Sequence, residues 1–127
     1  MTSQEPLLID SDVIIDYLRD RPEAVTYLDD LTNPLFLSVI TVGELYAGVR
    51  DGAERVKLDA FLRAFIILTL DEATAVAGGL LRRDYGKSHG IGLADAFIAA
   101  TVLQHKLRLV SLNQKHFPMI LNLVVPY

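Results

Sequence analysis

The sequence predicts an α/β fold, a three-layer α/β/α sandwich around a mainly parallel sheet of about five strands. Short, unbroken apolar runs alternate along the chain with longer segments whose apolar residues recur every three or four positions. The short runs are typical of strands buried on both faces, and the longer segments are typical of amphipathic helices. Strands that alternate with helices build a parallel sheet with helices on both faces.

Length and composition indicate one globular protein. The chain has 127 residues, 51% of them hydrophobic and 22% charged, and we expect a single domain over residues 1–127. The absence of Cys excludes a disulfide framework and a thiolate nucleophile. No uncharged run reaches the roughly 18 residues that span a bilayer, and the first residues lack the basic segment of a signal peptide. We therefore expect a cytoplasmic protein that does not contact a membrane.

The first predicted strand and helix meet at Asp10. Residues 7–9 form an apolar run, and residues 13–18 place apolar side chains at helical spacing, with Ser11 or Asp12 as the expected N-cap. Asp10 thus falls at the carboxyl end of a strand. In open α/β sheets this edge faces the crevice where ligands bind.

The remaining elements follow in the same alternation. Further strands are predicted at 35–39, 66–68, 109–112 and 121–125, and helices at 22–31, 41–49, 53–65, 72–85 and 93–103. Pro22 suits a first helical turn, Ser38 or Thr41 can cap the third helix, and Asp71 can cap the fifth. Residues 87–92 are predicted as a polar, glycine-rich loop, and residues 113–117 as a short turn or helix.

Two acids stand alone in apolar elements. Glu44 is the only charged residue between positions 35 and 49, and Asp95 is the only one between 91 and 104. A buried carboxylate usually pairs with a base, accepts backbone hydrogen bonds or binds a metal. Asp95 also falls in the first turn of its helix, where the helix dipole favours negative charge. Together with Asp10, these acids come from three separate elements and are predicted to share one pocket.

Such a pocket favours a divalent cation. Neighbouring carboxylates repel each other unless a cation lies between them, and Mg²⁺ or Mn²⁺ takes oxygen ligands of this kind. A site of this type suits metal-dependent hydrolysis of phosphodiesters. The net charge of −4 argues against a broad nonspecific nucleic-acid surface, but it leaves room for a substrate held by a few basic residues and a metal.

Four segments resemble, in order and spacing, the motifs of PIN-domain ribonucleases. They are LIDSDVII around Asp10, TVGEL around Glu44, GLADAFIAAT around Asp95 and LVSLNQKHF around Asn113. The similarity covers about residues 7–125 and is greatest to the VapC-type toxins of toxin–antitoxin pairs.

This resemblance implies a Mg²⁺- or Mn²⁺-dependent endoribonuclease. Asp10 and Asp95 would bind the metal directly, and Glu44 would hold it through water or orient the attacking water. Asn113 occupies the place where many members carry a fourth acid. Its amide oxygen can still ligate, but a charge is lost, so a single metal is the expectation.

The resemblance also implies partners. A cognate antitoxin would cover the acidic pocket and reach Asp10 and Asp95 with a Lys or Arg. A homodimer is expected too, and apolar residues of the second to fourth helices could either supply its surface patch or belong to the core. Candidate residues for this patch are Tyr27, Leu31, Phe61 and Phe65.

Other polar residues have two interpretations. Arg82, Arg83 and Lys87 could bind RNA phosphates beside the metal, or they could form a solvated helix end that complements the dipole. Asp12 and Asp16 are interpreted as helix-capping or solvent-facing acids. We assign His116 a structural role, since a metal can activate water without a histidine base.

Two other functions stay open. Asp10 and Asp12 after a strand also resemble the Asp-x-Asp nucleophile motif of haloacid-dehalogenase-type phosphatases. That class also uses a later Lys and a pair of acids near the last strands, and it leaves Glu44 without a role. The other alternative is a non-catalytic protein that keeps a PIN-like fold as a binding module, which the missing fourth acid at Asn113 supports.

Overall fold

The structure is a computed structural model that describes residues 4–127, which form four β-strands, six α-helices and one 3₁₀ turn. The strands are β1 (Leu7–Ile9), β2 (Leu35–Ser38), β3 (Ile66–Leu68) and β4 (Arg108–Val110). The α-helices are α1 (Ser11–Leu18), α2 (Pro22–Asp29), α3 (Val39–Ala47), α4 (Ala53–Leu62), α5 (Glu72–His89) and α6 (Leu93–His105). The 3₁₀ turn is Gln114–His116. Across these residues, no helix is both long enough and apolar enough to cross a bilayer.

All four strands are parallel and lie in the order β3-β2-β1-β4. β1 is therefore a central strand, with Leu8 opposite Phe36 of β2 on one side and opposite Leu109 of β4 on the other. Leu8 and Ile9 are fully buried. The all-apolar run at residues 7–9 is explained by this position, since a central strand of a parallel sheet is covered on both faces.

Alternate residues of β1 point into two separate hydrophobic clusters. Ile9 packs with the helices on one face, where Val13 and Ile14 of α1 are fully buried. Leu8 packs on the opposite face with Ile98 of α6 and with the segment that follows β4. The sheet thus separates two helical layers, which confirms the predicted α/β/α sandwich.

The sheet has four strands and not five, so the predicted strand at residues 121–125 is wrong. Val124 makes only one parallel bridge, to Val110, through Ser111 N–H donating to Val124 O (3.0 Å) and Val124 N–H donating to Leu109 O (2.9 Å). The next backbone donor of such a ladder would belong to Pro126, which has no N–H. The pairing therefore stops after one residue.

Several helix ends differ from the prediction. Helix α5 continues to His89, so the first half of the predicted loop at 87–92 is its last turn, and Gly90 ends it with φ +65°. Lys87 and His89 in that turn suit the negative end of the helix dipole. Asp10, and neither Ser11 nor Asp12, is the N-cap of α1.

Helices α5 and α6 approach closely at Gly78. A Cβ there would collide with the ring of Phe97, so only glycine allows this contact. Phe97 lies two residues after Asp95, so this contact packs the first turns of α6 against α5.

The aromatic residues of the predicted dimer patch belong mainly to the core. Phe65 is buried, and Tyr27, Leu31 and Phe61 are partly buried against the same cluster. Phe61 stacks on Tyr17, with ring centroids 4.9 Å apart, and contacts Phe65 at 5.1 Å. Phe65, in the turn between α4 and β3, is therefore a core residue and not part of a surface patch.

Candidate active site

Asp10 lies at the carboxyl end of β1 and is almost completely buried. Its Oδ1 accepts the backbone N–H of Ser11 (2.8 Å), and its Oδ2 accepts the hydroxyl of Ser111 (2.7 Å). Its own N–H donates to Val110 O (2.9 Å), which joins β1 to β4 at this point. The carboxylate is therefore fixed by neutral donors from two adjacent strand ends.

Asp12 lies one residue into α1 and shares the same hydroxyl. Its Oδ1 accepts the N–H of Val13 (2.7 Å), and its Oδ2 accepts the N–H of Leu112 (3.1 Å) and a longer contact from Ser111 Oγ (3.4 Å). Asp12 is thus not the cap that the sequence suggested, and its carboxylate ties the loop after β4 to the first turn of α1.

Asp95, in the first turn of α6, contacts a histidine. His116 Nδ1 lies 3.0 Å from Asp95 Oδ2 and 2.7 Å from the side-chain amide of Asn113. Both side chains of the His–Asp pair are about 30% exposed, at 31% and 26%. Asn113 therefore reaches Asp95 through His116.

Glu44, on α3, lies at the open rim of this group. It is exposed, which contradicts the expectation of a buried acid. Partial burial and the nearby charge of Asp95 raise the pKa of Glu44, and a hydrogen bond from Ser11 opposes this shift.

Burial and like charge dominate the electrostatics. Burial first, then the charge of Asp12, raises the pKa of Asp10 from 3.8 to about 7, against the hydrogen bonds from Ser111 and Ser11. Asp95 adds a smaller increase to the same pKa. Burial also raises the pKa of Asp12, although its hydrogen bonds to Val13 and Leu112 favour the charged form.

The donor set fits a hard divalent cation. Within residues 4–127, no Lys or Arg forms an ion pair with Asp10, Asp12, Glu44 or Asp95, and His116 is the one imidazole bonded to these acids. Carboxylate oxygens without a basic partner suit Mg²⁺ or Mn²⁺. In the same part of the chain, however, no three His, Asp or Glu side chains already converge on one ligand position. The acids are electrostatically coupled, but they do not form a closed ligand cage.

Comparison with known proteins identifies the family. The family model of the PIN domain matches residues 7–119. The chain belongs to the PIN-domain family. It is a VapC-type member, since it is 39% identical over 124 residues to Ribonuclease VapC19 of Mycobacterium tuberculosis, covering 94% of this chain and 98% of that protein.

Solved structures give the same assignment. A toxin–antitoxin complex from Klebsiella pneumoniae contains a chain with a TM-score of 0.82 and 29% identity, covering 95% of this chain and 98% of that one. FitAcB from Neisseria gonorrhoeae has a TM-score of 0.75 and 33% identity, with coverage of 94% and 97%.

In this PIN domain, the basic residues predicted to bind RNA are not hydrogen-bonded to the acids within residues 4–127. Arg82, Arg83 and Lys87 are exposed on α5. Arg83 pairs with Asp84 (2.9 Å), and the guanidinium of Arg82 lies over Gly86. In the part of the chain that the structure describes, no ion pair or hydrogen bond joins these three residues to the acid group.

Two residues of the PIN-domain site were not singled out from the sequence as site residues. Ser111 bridges Asp10 and Asp12, and His116, to which we assigned a structural role, contacts Asp95 directly. Ser111 follows β4, so the rule that directed attention to Asp10, that strand carboxyl ends face the crevice, also applies to Ser111. His116 had no such local signal.

A groove leads from Glu44 along the PIN domain between α1, α3 and α4. Its volume is about 490 Å³. Apolar side chains line its floor, among them Ile15, Leu18 and Val49, and charged residues such as Arg19 and Arg50 stand at its edge. The groove is therefore lined by both apolar and charged side chains and opens beside Glu44.

Proposed function

We propose that this chain is a Mg²⁺- or Mn²⁺-dependent endoribonuclease and the toxin of a toxin–antitoxin pair. The observation that carries the proposal is that Asp10, Asp12, Glu44 and Asp95 gather near the carboxyl edge of the sheet without a Lys or Arg partner among residues 4–127. Membership of the PIN family and the 39% identity to a protein named as a ribonuclease support the reaction class.

Each acid has a proposed part in the reaction. Asp10 and Asp95 hold the cation, and the hydrogen bonds from Ser11 and Ser111 fix the two oxygens of Asp10. Glu44, at the exposed rim, accepts a hydrogen bond from the attacking water and orients it. When bound, the cation supplies an activated water and neutralises the charge that develops on the phosphate.

The substrate side of the proposal involves α5. RNA carries a regular negative charge that Lys and Arg neutralise, and exposed Arg82, Arg83 and Lys87 are our proposed contacts for phosphates away from the cleaved bond. Asn113 lacks the charge of a fourth acid, so we propose a single cation.

Cleavage of total cellular RNA tests the proposal. The purified protein is incubated with Mg²⁺ or Mn²⁺ beside Asp10→Asn, Asp95→Asn and an EDTA control. Asp16→Asn is the matched control, because Asp16 lies on the same helix but is bonded to Arg21 and Tyr127. We expect discrete fragments that disappear in both site variants and with EDTA, and persist in Asp16→Asn. Fragments that survive in Asp10→Asn would contradict the proposal.

The phosphatase alternative requires Asp12 as a mobile acid. Both of its oxygens are instead held by backbone N–H groups, those of Val13 and Leu112. A generic phosphomonoester in the same assay separates the two activities, and we expect no hydrolysis of it. A protein that neither cleaves RNA nor binds Mn²⁺ would be the binding module.

We further propose a cognate antitoxin and a homodimer. The groove beside Glu44 suits an amphipathic antitoxin segment whose Lys or Arg enters the acid group, and the structural neighbours include toxin–antitoxin complexes. Co-expression with the cognate antitoxin is expected to give a stable complex without RNA cleavage. Light scattering of the isolated chain tests the dimer, for which a mass of one chain would be the contrary result.

A further inference from the structure

The segment that follows β4 contacts all three aspartates of the candidate site. Ser111 donates to Asp10 and makes a longer contact with Asp12, the N–H of Leu112 donates to Asp12, and His116 bonds Asp95. These contacts join residues that are 21 to 101 positions apart in sequence. The arrangement of the acids therefore depends on this one segment.

The direction of the hydrogen bond at His116 follows from the chemistry of its partners. A carboxylate only accepts hydrogen bonds, so His116 Nδ1 carries the proton and donates to Asp95 Oδ2 at 3.0 Å. The amide of Asn113 is placed with its Nδ2 2.7 Å from the same nitrogen. Because a protonated nitrogen cannot accept, we assign the amide the flipped orientation, with its oxygen towards Nδ1. In that orientation Asn113 favours the tautomer that donates to Asp95.

The imidazole of His116 is held in place by the packing of the next residue and by backbone hydrogen bonds. Phe117, the next residue, is 2% exposed and packs in the cluster beneath α6. The N–H of His116 donates to Asn113 O (3.0 Å), and the N–H of Asn113 donates to Ser111 Oγ (3.0 Å). The backbone hydrogen bonds, the buried side chain of Phe117 and the side chain of Asn113 together hold the imidazole ring of His116 opposite Asp95.

We propose that Asn113 and His116 are positioning residues that orient Asp95 for the cation, and that Asn113 is not itself a ligand. The inference rests on the proposed function. Outer partners that orient a metal-binding carboxylate or imidazole typically change metal affinity by about 10- to 100-fold when removed. We call the hydrogen-bonded series Asn113–His116–Asp95 the relay. An acid at position 113 would compete with Asp95 for the Nδ1 proton of His116, so a neutral amide suits the relay.

Mn²⁺ affinity of the full chain, measured by calorimetry, tests the relay. We expect His116→Ala to weaken binding about 10-fold or more. His116→Asn places an amide N–H near the position of Nδ1, whereas His116→Gln places it near Nε2. We therefore expect His116→Asn to stay within about threefold of the wild type and His116→Gln to resemble His116→Ala. Lys115→Ala, an exposed neighbour, is the matched control.

Asn113→Asp separates the relay from the alternative of direct ligation. We expect Mn²⁺ affinity that is equal to or weaker than the wild type and a stoichiometry of one. Tighter binding, or a second bound Mn²⁺, would overturn the inference, and so would wild-type affinity in His116→Ala. If His116→Ala does not fold, equal affinities in His116→Asn and His116→Gln would overturn it. Wild-type protein that neither binds Mn²⁺ nor cleaves RNA would instead refute the proposed function.

Discussion

The two ends of helix α1 hold their carboxylates in opposite ways. At the first end, Asp10 and Asp12 accept hydrogen bonds from neutral donors only. Near the other end, Asp16 pairs with the guanidinium of Arg21 (2.9 Å) and accepts the hydroxyl of Tyr127 (2.7 Å). The same residue type, on one helix, is left without a basic partner at one end and is neutralised at the other.

The difference shows where the fold tolerates an unfavourable charge. Burying a carboxylate without a basic partner costs free energy, and the rise of the pKa of Asp10 to about 7 reflects that cost. A structural role would be better served by the arrangement around Asp16. Uncompensated charge in a crevice is typical of sites that bind a cation or do chemistry.

Asp10→Asn should give the largest change in stability. The folded-state pKa lies above the unfolded value, so the protonated form is favoured in the fold and the unfolding free energy decreases as pH rises from about 4 to 7. Removing the charge should raise the unfolding free energy by up to about 4 kcal/mol above pH 7 in EDTA. Urea unfolding at pH 5 and pH 8 measures this, and we expect the gain to be larger at pH 8.

Asp16→Asn is the control for that experiment. It removes a carboxylate from a pair with Arg21 and should not stabilise the protein at either pH. A gain of stability in Asp10→Asn that is equal at pH 5 and pH 8 would mean that charge is not the cause.

Adding Mn²⁺ should offset the free-energy cost of the unpaired acids at the start of α1 and have no effect at its other end. A ligand that binds the folded state alone, at about 100 times its Kd, adds about 2.7 kcal/mol to the unfolding free energy. We expect a shift of this size in the wild type and in Asp16→Asn, and little or none in Asp10→Asn. The midpoint of thermal unfolding with Mn²⁺ or EDTA measures it. An equal shift in all three proteins would place the cation elsewhere.

Ser111→Ala sharpens the comparison by removing a neutral donor. The hydroxyl lowers the pKa of Asp10, so its loss should raise that pKa further and leave a buried carboxylate oxygen unpaired. Hydrogen bonds to charged groups contribute about 2 kcal/mol, and we expect a loss of that size at pH 8 and a smaller loss at pH 5. Ser88→Ala, at an exposed position on α5, should change neither value.

The fold was predictable because its strands are short apolar runs with clear ends. The run at residues 7–9 became the central strand, and the prediction of an α/β/α sandwich is confirmed. The prediction failed at 121–125, where the apolar pattern is that of a strand but Pro126 ends the ladder. An apolar sequence pattern indicates that a segment is buried. Strand pairing also requires backbone N–H donors, and Pro126 has none.

Less of the candidate site than of the fold could be predicted from the sequence. Asp10 and Asp95 stood out as acids at the ends or starts of apolar elements, and in the structure the charge of Asp95 lies near enough to raise the pKa of Asp10. The exposure of Glu44 depends on which face of α3 is left open, and the contact of His116 with Asp95 depends on chain closure across 21 residues. Neither has a local pattern, because both arise from packing between elements.

Tyr127→Phe should have the smallest effect. It removes one hydrogen bond to Asp16, but Arg21 remains, and its guanidinium lies 5.0 Å from the centre of the aromatic ring that the variant keeps. Both charged groups are partly exposed, so we expect a loss of about 1 kcal/mol or less. Burial and the bond to Asp16 raise the pKa of Tyr127, so this loss should not vary between pH 5 and pH 8. Mn²⁺ affinity should not change, and a weaker affinity would show that the two ends of α1 are coupled, because a change at the neutralised end would then have altered the acids at the other.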